Sequence, residues 1–339
     1  MNPDDPARAA LGFEDIDFAA AAARIAAQVK RTPLLALPCE DERIELRGKM
    51  ENQQVTGAFK ARGACNNIAL LTAEERARGV VASSSGNHGR ALAWAARCAG
   101  VPATIVMPQD AYPNKIEACR AEGAEVVLAK DRLDADVVTA QLAAEGRVLI
   151  HPYDRRGTIE GAGTVGLEIA QDWPEVEVVL ICVGGGGLSA GSALALRRER
   201  GDAVQIYGVE PIGSASMRDG LAAGGPVVLE EITTTVQGLC PPASGALNIA
   251  IAAQTFDGVL TPDDAAIYAA QRALVNDGPG WKAEVVEPAG ACAYAAIREG
   301  MLPAALLQGR SAQNPLRVAV TISGGNPDPA QLEAQRTGS

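Results

Sequence analysis

The chain has 339 residues, 47% of them apolar, with 36 glycines and a formal net charge of -11. That length allows one large domain or two, with interior enough to fold without disulfides or metal staples. The acidic balance, without any basic run, excludes nucleic acid and anionic membranes as expected partners and leaves small molecules.

The opening stretch "MNPDDPARAALGFEDIDF" is acidic and lacks the charged-then-apolar order of a signal peptide, so a cytoplasmic protein is expected. In "QQVTGAFKARG", residues 53 to 63, Thr56 and Gly57 read as a turn feeding a helix from near Ala58, with Ile68, Leu70 and Leu71 on its buried side. Lys60 then falls in the first turn, where unpaired N–H groups and the helix dipole disfavour a cation. Beyond it, β-branched runs alternate with alanine-rich helical stretches: "GVVAS", "ATIVMP", "EVVLA" before a helix over 134–145, "RVLIH", "EVVLICVGGGG", "VQIYGVEP" and "RVAVTISGG". Such alternation predicts parallel strands joined by crossover helices, an α/β doubly wound architecture with ligands at the carboxyl ends of strands. Val178 to Leu196 is uncharged for 19 residues, but its glycines and serines fit a strand, a turn and a helix start better than a membrane span. Seven cysteines, with no C-x-x-C pair and no clustered histidines, read as reduced, mostly buried thiols. Only the last ten or so residues read as disordered.

Three small-residue loops sit where strands should end: "SSSGNHG", "GGGG" and "SGGN". Gly184, Gly185, Gly186 and Gly187, followed by Leu188 and an alanine-rich helix, suit an anion cradle, with phosphate as the expected guest. The same glycines satisfy a dinucleotide fingerprint, with Glu210 placed as a ribose-binding acid, so a nicotinamide oxidoreductase is a rival reading. A phosphate-bearing aldehyde cofactor also gives Lys60 a task, because a lysine disfavoured as a cation is ready to attack a carbonyl.

The motifs "ENQQVTGAFKARGA", "SSSGNHGRALA", "VGGGGLSAG", "VEPAGA" and "SGGN" occur in one order along nearly the whole chain. In this the sequence resembles fold-type II pyridoxal-phosphate enzymes, the group of threonine dehydratase, serine racemase and hydroxyaspartate dehydratase. The resemblance implies two doubly wound parallel-sheet domains, residues 1–68 with 158–339 and residues 69–157, holding pyridoxal 5'-phosphate between them. It implies Lys60 as the Schiff-base lysine and base, Phe59 beneath the ring, Asn87 on the phenolic oxygen, the Gly184 to Leu188 backbone on the phosphate, and Ser323 at the pyridine nitrogen. Glu287 matches a position near the cofactor. Ser84, Ser85, Gly86, Asn87 and His88 would receive the substrate carboxylate, and Ser85 matches the serine that reprotonates Cα in racemases. His88 also reads as a hydrogen-bonding residue of a helix start, and His151 and Tyr153 in "HPYD" as the pocket mouth or a structural loop.

Two departures refine the expectation. Glu210 and Pro211 match the start of a divalent-cation site, but "IGSASM" follows where racemases carry an aspartate, so one carboxylate is left for the metal. Gln237 stands where relatives show an acid, and no lysine or arginine lies between Asp219 and Gln271, which ranks hydroxyaspartate below threonine, serine or phenylserine as substrate. The expected activity is a dehydratase (ammonia-lyase) on β-hydroxy-α-amino acids, with serine racemase as the nearest alternative and a homodimer or homotetramer as the assembly.

Overall fold

The computed structural model describes residues 12–337. Two sheets organise it. The larger runs β1-β2-β10-β7-β8-β9, from Leu34–Ala36 (β1), Ile44–Met50 (β2), Leu316–Ile322 (β10), Val178–Cys182 (β7), Gln205–Val209 (β8) and Gly258–Leu260 (β9). The smaller runs β5-β4-β3-β6, from Glu125–Ala129 (β5), Ala103–Pro108 (β4), Val80–Ser83 (β3) and Val148–Leu149 (β6), all within the span 69–157. All pairings are parallel except β1 with β2. Strand β7 is buried throughout, as a central parallel strand covered on both faces must be.

Glycines bring two helices together behind the larger sheet. A Cβ at Gly166 would lie 2.2 Å from the Ser192 carbonyl oxygen, and one at Gly191 would lie 2.3 Å from that of Ile159. The helix Arg156–Asp172 therefore lies directly against Gly187–Arg200, fixing the angle at which the latter leaves the glycine turn. Beside them, fully buried Arg62 bonds Glu51 at 2.7 and 2.8 Å and Glu168 at 2.7 and 2.9 Å. Lys49, also buried, bonds Glu168 and the Thr32 carbonyl, each at 2.6 Å. These paired charges pin the start of the Lys60–Leu70 helix against β2 and Arg156–Asp172.

Several sequence expectations are corrected. The first helix of the "AFKARGA" motif begins at Lys60, because Ala58 is engaged in a bridge to Gly324 and Phe59 serves as its N-cap. Ile68 and Leu71 are buried, but Leu70 is 49% exposed, since Leu71 already lies past the helix end. The helix expected over 134–145 spans Arg132–Ala144, capped by Asp131, and "RVLIH" yields only two strand residues. Pro329–Thr337 forms a helix where disorder was expected. Four of the seven free cysteines are buried, and Cys98 is exposed. Among the described residues no helix is long and apolar enough to cross a membrane; Val178–Leu196 is β7, the glycine turn and a helix start.

Candidate active site

The carboxyl ends of β10, β7 and β3 and the amino end of the Lys60–Leu70 helix converge on one cleft. Lys60 is anchored there by backbone. Phe59 N–H donates to the Ser323 carbonyl at 3.1 Å, and Gly325 N–H to that of Gly57 at 2.7 Å. Gly57 holds φ at 76°, and a Cβ there would meet Asn326 Oδ1 at 2.5 Å, so the turn before the lysine needs glycine. The Lys60 side chain keeps some surface open to the cleft. Its Nζ donates to the Pro152 carbonyl at 2.6 Å and lies 5.0 Å from the centre of the Phe59 ring. Burial pulls the amine from its ordinary 10.5 down to about 8, against the pull of the Glu287 carboxylate. The unfavourable position read from sequence is thus reinforced by burial, and a larger fraction of the amine is unprotonated near neutral pH.

Asn87 begins the helix Asn87–Ala99 at the end of the β3 loop. Its Nδ2 donates to Glu287 Oε1 at 2.6 Å, while its Oδ1 accepts from Asn326 Nδ2 at 2.8 Å. One amide hydrogen remains for another acceptor, and these two partners set which way the amide faces. Burial raises the pKa of Glu287, with Lys115 and Asn87 opposing. A Cβ at Gly324 would lie 2.2 Å from Glu287 Oε1, which brings Glu287 and Asn87 to the end of β10. Ser323, 4% exposed, sits there with its hydroxyl 3.4 Å from the Ala289 carbonyl.

The glycine loop is held from outside. Ser244 Oγ donates to the Gly184 carbonyl, Asn248 Nδ2 and Gly245 N–H to that of Gly185, and Ser189 Oγ to that of Gly186. With these carbonyls tied back, the amide groups are turned the opposite way, and the first N–H groups of the Gly187–Arg200 helix lack intrahelical acceptors. Packing also demands glycine here: a Cβ at Gly185 would lie 2.2 Å from the Tyr153 ring, and Gly186 has φ of 99°. Pro152 and Tyr153, adjacent in sequence, touch Lys60 and Gly185 respectively, so the lysine faces the glycine loop across them. A bent donor loop for phosphate, an amine whose cation is disfavoured for an aldehyde, an amide for a phenolic oxygen and a hydroxyl for a ring nitrogen together fit pyridoxal phosphate.

Comparison with known proteins gives the same answer. Residues 25–324 match the family model described as pyridoxal-phosphate dependent enzyme. The chain belongs to that family. It is 38% identical over 287 residues to an L-threonine ammonia-lyase of Thermotoga maritima, covering 83% of this chain and 67% of that one. It is 35% identical over 283 residues to a phenylserine dehydratase of Ralstonia pickettii, 83% of each. The structure of maize serine racemase superposes with a TM-score of 0.83 at 33% identity, covering 96% of this chain and 97% of that one. The cofactor of this pyridoxal-phosphate enzyme is pyridoxal 5'-phosphate, and its fold is type II. The glycine loop is thus that of a pyridoxal-phosphate enzyme and not of a nicotinamide oxidoreductase.

Three candidates have other work in the structure. Ser84 Oγ accepts from Gly89 N–H at 3.1 Å and Gly86 N–H at 3.3 Å, capping its own loop. His88 is buried with Nε2 2.9 Å from the Ile150 carbonyl, and burial and Lys60 push it down to about 3, so it is neutral and structural. Glu210 accepts from Met217 and Arg218 N–H at 3.0 and 2.8 Å, capping the next helix, while burial pushes it up to about 7. Among the described residues no group of three or more His, Cys, Asp or Glu side chains could hold a metal ion. Ser85 and Gly86 remain exposed at the loop tip. Asn326 was missed by sequence reasoning although "SGGN" was noticed; only the fold brings it to Asn87.

Proposed function

We propose that the protein is a dehydratase (ammonia-lyase) that converts a β-hydroxy-α-amino acid to a 2-oxo acid and ammonia. The observation that carries this reading is Lys60, an amine buried in the cleft with its cation disfavoured, beside a strand end that offers Ser323 rather than a carboxylate. Pyridoxal phosphate, when bound, supplies an electron sink that acidifies the Cα–H of an attached amino acid. Lys60 takes that proton and returns one to the departing β-hydroxyl. Amide groups of Gly184 to Leu188 would bind the phosphate, Asn87 would give its second amide hydrogen to the phenolic oxygen, and Phe59 would pack against the ring. The exposed loop tip at Ser85 takes the substrate carboxylate, the Gly86 N–H being already given to Ser84 Oγ. The Ser323 hydroxyl cannot hold a proton on the pyridine nitrogen as a carboxylate would, so the sink is weak and departure of the hydroxyl competes well. The names of similar proteins, L-threonine ammonia-lyase and phenylserine dehydratase, agree with this class.

The test is 2-oxo acid release by the holoenzyme from serine and from the threo and erythro forms of threonine, phenylserine and 3-hydroxyaspartate. Release from the first three, weakest from hydroxyaspartate, is expected; no release from any of them would sink the reading. A second reading, serine racemase, is favoured by Ser85, whose neighbour Ser84 is tied to backbone while it stays at the exposed loop tip. Chiral analysis of residual serine separates the two. Under racemisation, Ser85→Ala depresses inversion more than elimination.

A further inference from the structure

The two sheets are joined across the cleft by bonds of unequal strength. At one side, Asn326 gathers three: it accepts from Arg90 at 2.9 Å on its side chain and from Lys115 at 2.8 Å on its carbonyl, and donates to Asn87, while its bond to the Thr56 carbonyl holds it in place on its own side. At the base, Tyr153 bonds the Ala243 carbonyl, and Asp154 accepts from Ala246 and Leu247 N–H. At the other side, Gln237 Nε2 donates to Tyr112 Oη at 3.3 Å, between two exposed residues. A neutral, solvent-exposed bond of this kind is far weaker than the charge-assisted clasp opposite.

The location of this weak bond gives it meaning. Gln237 precedes Gly238, whose carbonyl lies 2.9 Å from where a Cβ on Gly184 would stand, so it borders the phosphate loop. Tyr112 follows β4, and β4 pairs with β3, the strand that delivers Ser84 to Asn87. The bond therefore ties a segment that borders the phosphate loop to the segment that follows β4, the neighbour of the strand leading into the serine loop. Both spanning groups are neutral. Lys115, the cation closest to Tyr112 in sequence, bonds the Asn326 carbonyl and acts on Glu287, and the facing segment has no lysine or arginine between Asp219 and Gln271. Tyr112, 47% exposed, is an aromatic side chain open to solvent beside this bond.

We infer that Tyr112 and Gln237 form a gate over the cofactor cleft and the subsite for the substrate's β-substituent, a neutral subsite that favours an aryl or apolar group over a carboxylate. This rests on the lyase reading of the same cleft and names its substrate class. The test uses the holoenzyme with phenylalanine, 2-aminobutyrate and aspartate, which lack the β-hydroxyl and have nothing to eliminate, their Kd values being measured by calorimetry. Phenylalanine is expected to bind at least tenfold more tightly than aspartate. Tyr112→Ala weakens phenylalanine about tenfold while 2-aminobutyrate stays within twofold, and Tyr112→Phe, which keeps the ring, leaves that ratio intact. Gln237→Lys tightens aspartate about tenfold relative to 2-aminobutyrate. The inference is overturned if aspartate binds the unaltered protein as tightly as phenylalanine, or if Tyr112→Ala and Gln237→Lys leave all three ratios within twofold. Because these ligands have no β-group to eliminate, that outcome is independent of whether 2-oxo acid is released from the hydroxy amino acids, which alone decides the lyase reading.

Discussion

Lys60 shows how one side chain trades stability for chemistry. The unfolded chain keeps its lysine proton to about pH 10.5, while the folded chain gives it up near 8. Between those values the unfolded state binds more protons, so this group's contribution makes stability rise with pH, and below pH 8 burying the cation costs on the order of 3 kcal/mol. Cofactor-free Lys60→Met is therefore expected to be 1–3 kcal/mol, roughly, more stable than the cofactor-free parent at pH 7, with the gap closing between pH 8 and 10.5. Denaturant titrations at a series of pH values read this directly; a gap that does not change with pH removes the claim that burial disfavours the Lys60 cation. The unfavourable placement was legible in the sequence, because a helix start could be inferred from Thr56 and Gly57. The depth of the burial was not, since it comes from Pro152 and Phe59, and Pro152 is 92 residues away.

At the scale of elements, the glycine loop serves two demands that the sequence could not separate. The expectation of a phosphate cradle and the bland expectation of a packing turn both describe Gly185, whose missing Cβ makes room for Tyr153. Gly185→Ala should displace the Tyr153 ring, cost about 1–3 kcal/mol by overpacking, and weaken cofactor binding at least tenfold. Equilibrium dialysis against pyridoxal phosphate, paired with thermal unfolding, checks both; loss of stability with cofactor affinity intact would leave Gly185 a packing glycine alone. Strands β7 and β10 were readable because each is a β-branched run buried on both faces. Strand β2 was not, although it pairs with β10 over its full length. Its Glu45, Arg47 and Lys49 look like a solvated segment, and Lys49 is buried only because Glu168 and Thr32 meet it there.

Across the whole molecule, the cleft depends on paired charges that hold the lysine helix to the larger sheet and on the Asn326 clasp that holds the smaller sheet to it. Neither was visible in sequence, since the partners of Arg62 lie 11 and 106 residues away and those of Asn326 more than 200. Arg62→Met strands Glu51 and Glu168 as buried carboxylates without their fork, and a loss of about 3–5 kcal/mol is expected from chemical denaturation. A loss below 1 kcal/mol would mean that water, together with the bond Lys49 already makes to Glu168, suffices for those carboxylates and that the helix start is pinned by other contacts. The motifs were nonetheless sufficient to name the family, because five short segments needed only their order, while the tertiary partners that orient them needed the fold.

The central claim is that Lys60 carries the cofactor in a cleft whose glycine loop holds its phosphate. Borohydride reduction of the holoenzyme followed by peptide mass mapping tests it most directly. The account requires the pyridoxyl mass on the peptide containing Lys60 and its disappearance in Lys60→Ala. A label on Lys49, Lys115 or another lysine, or a labelled Lys60→Ala protein with full turnover, would contradict it.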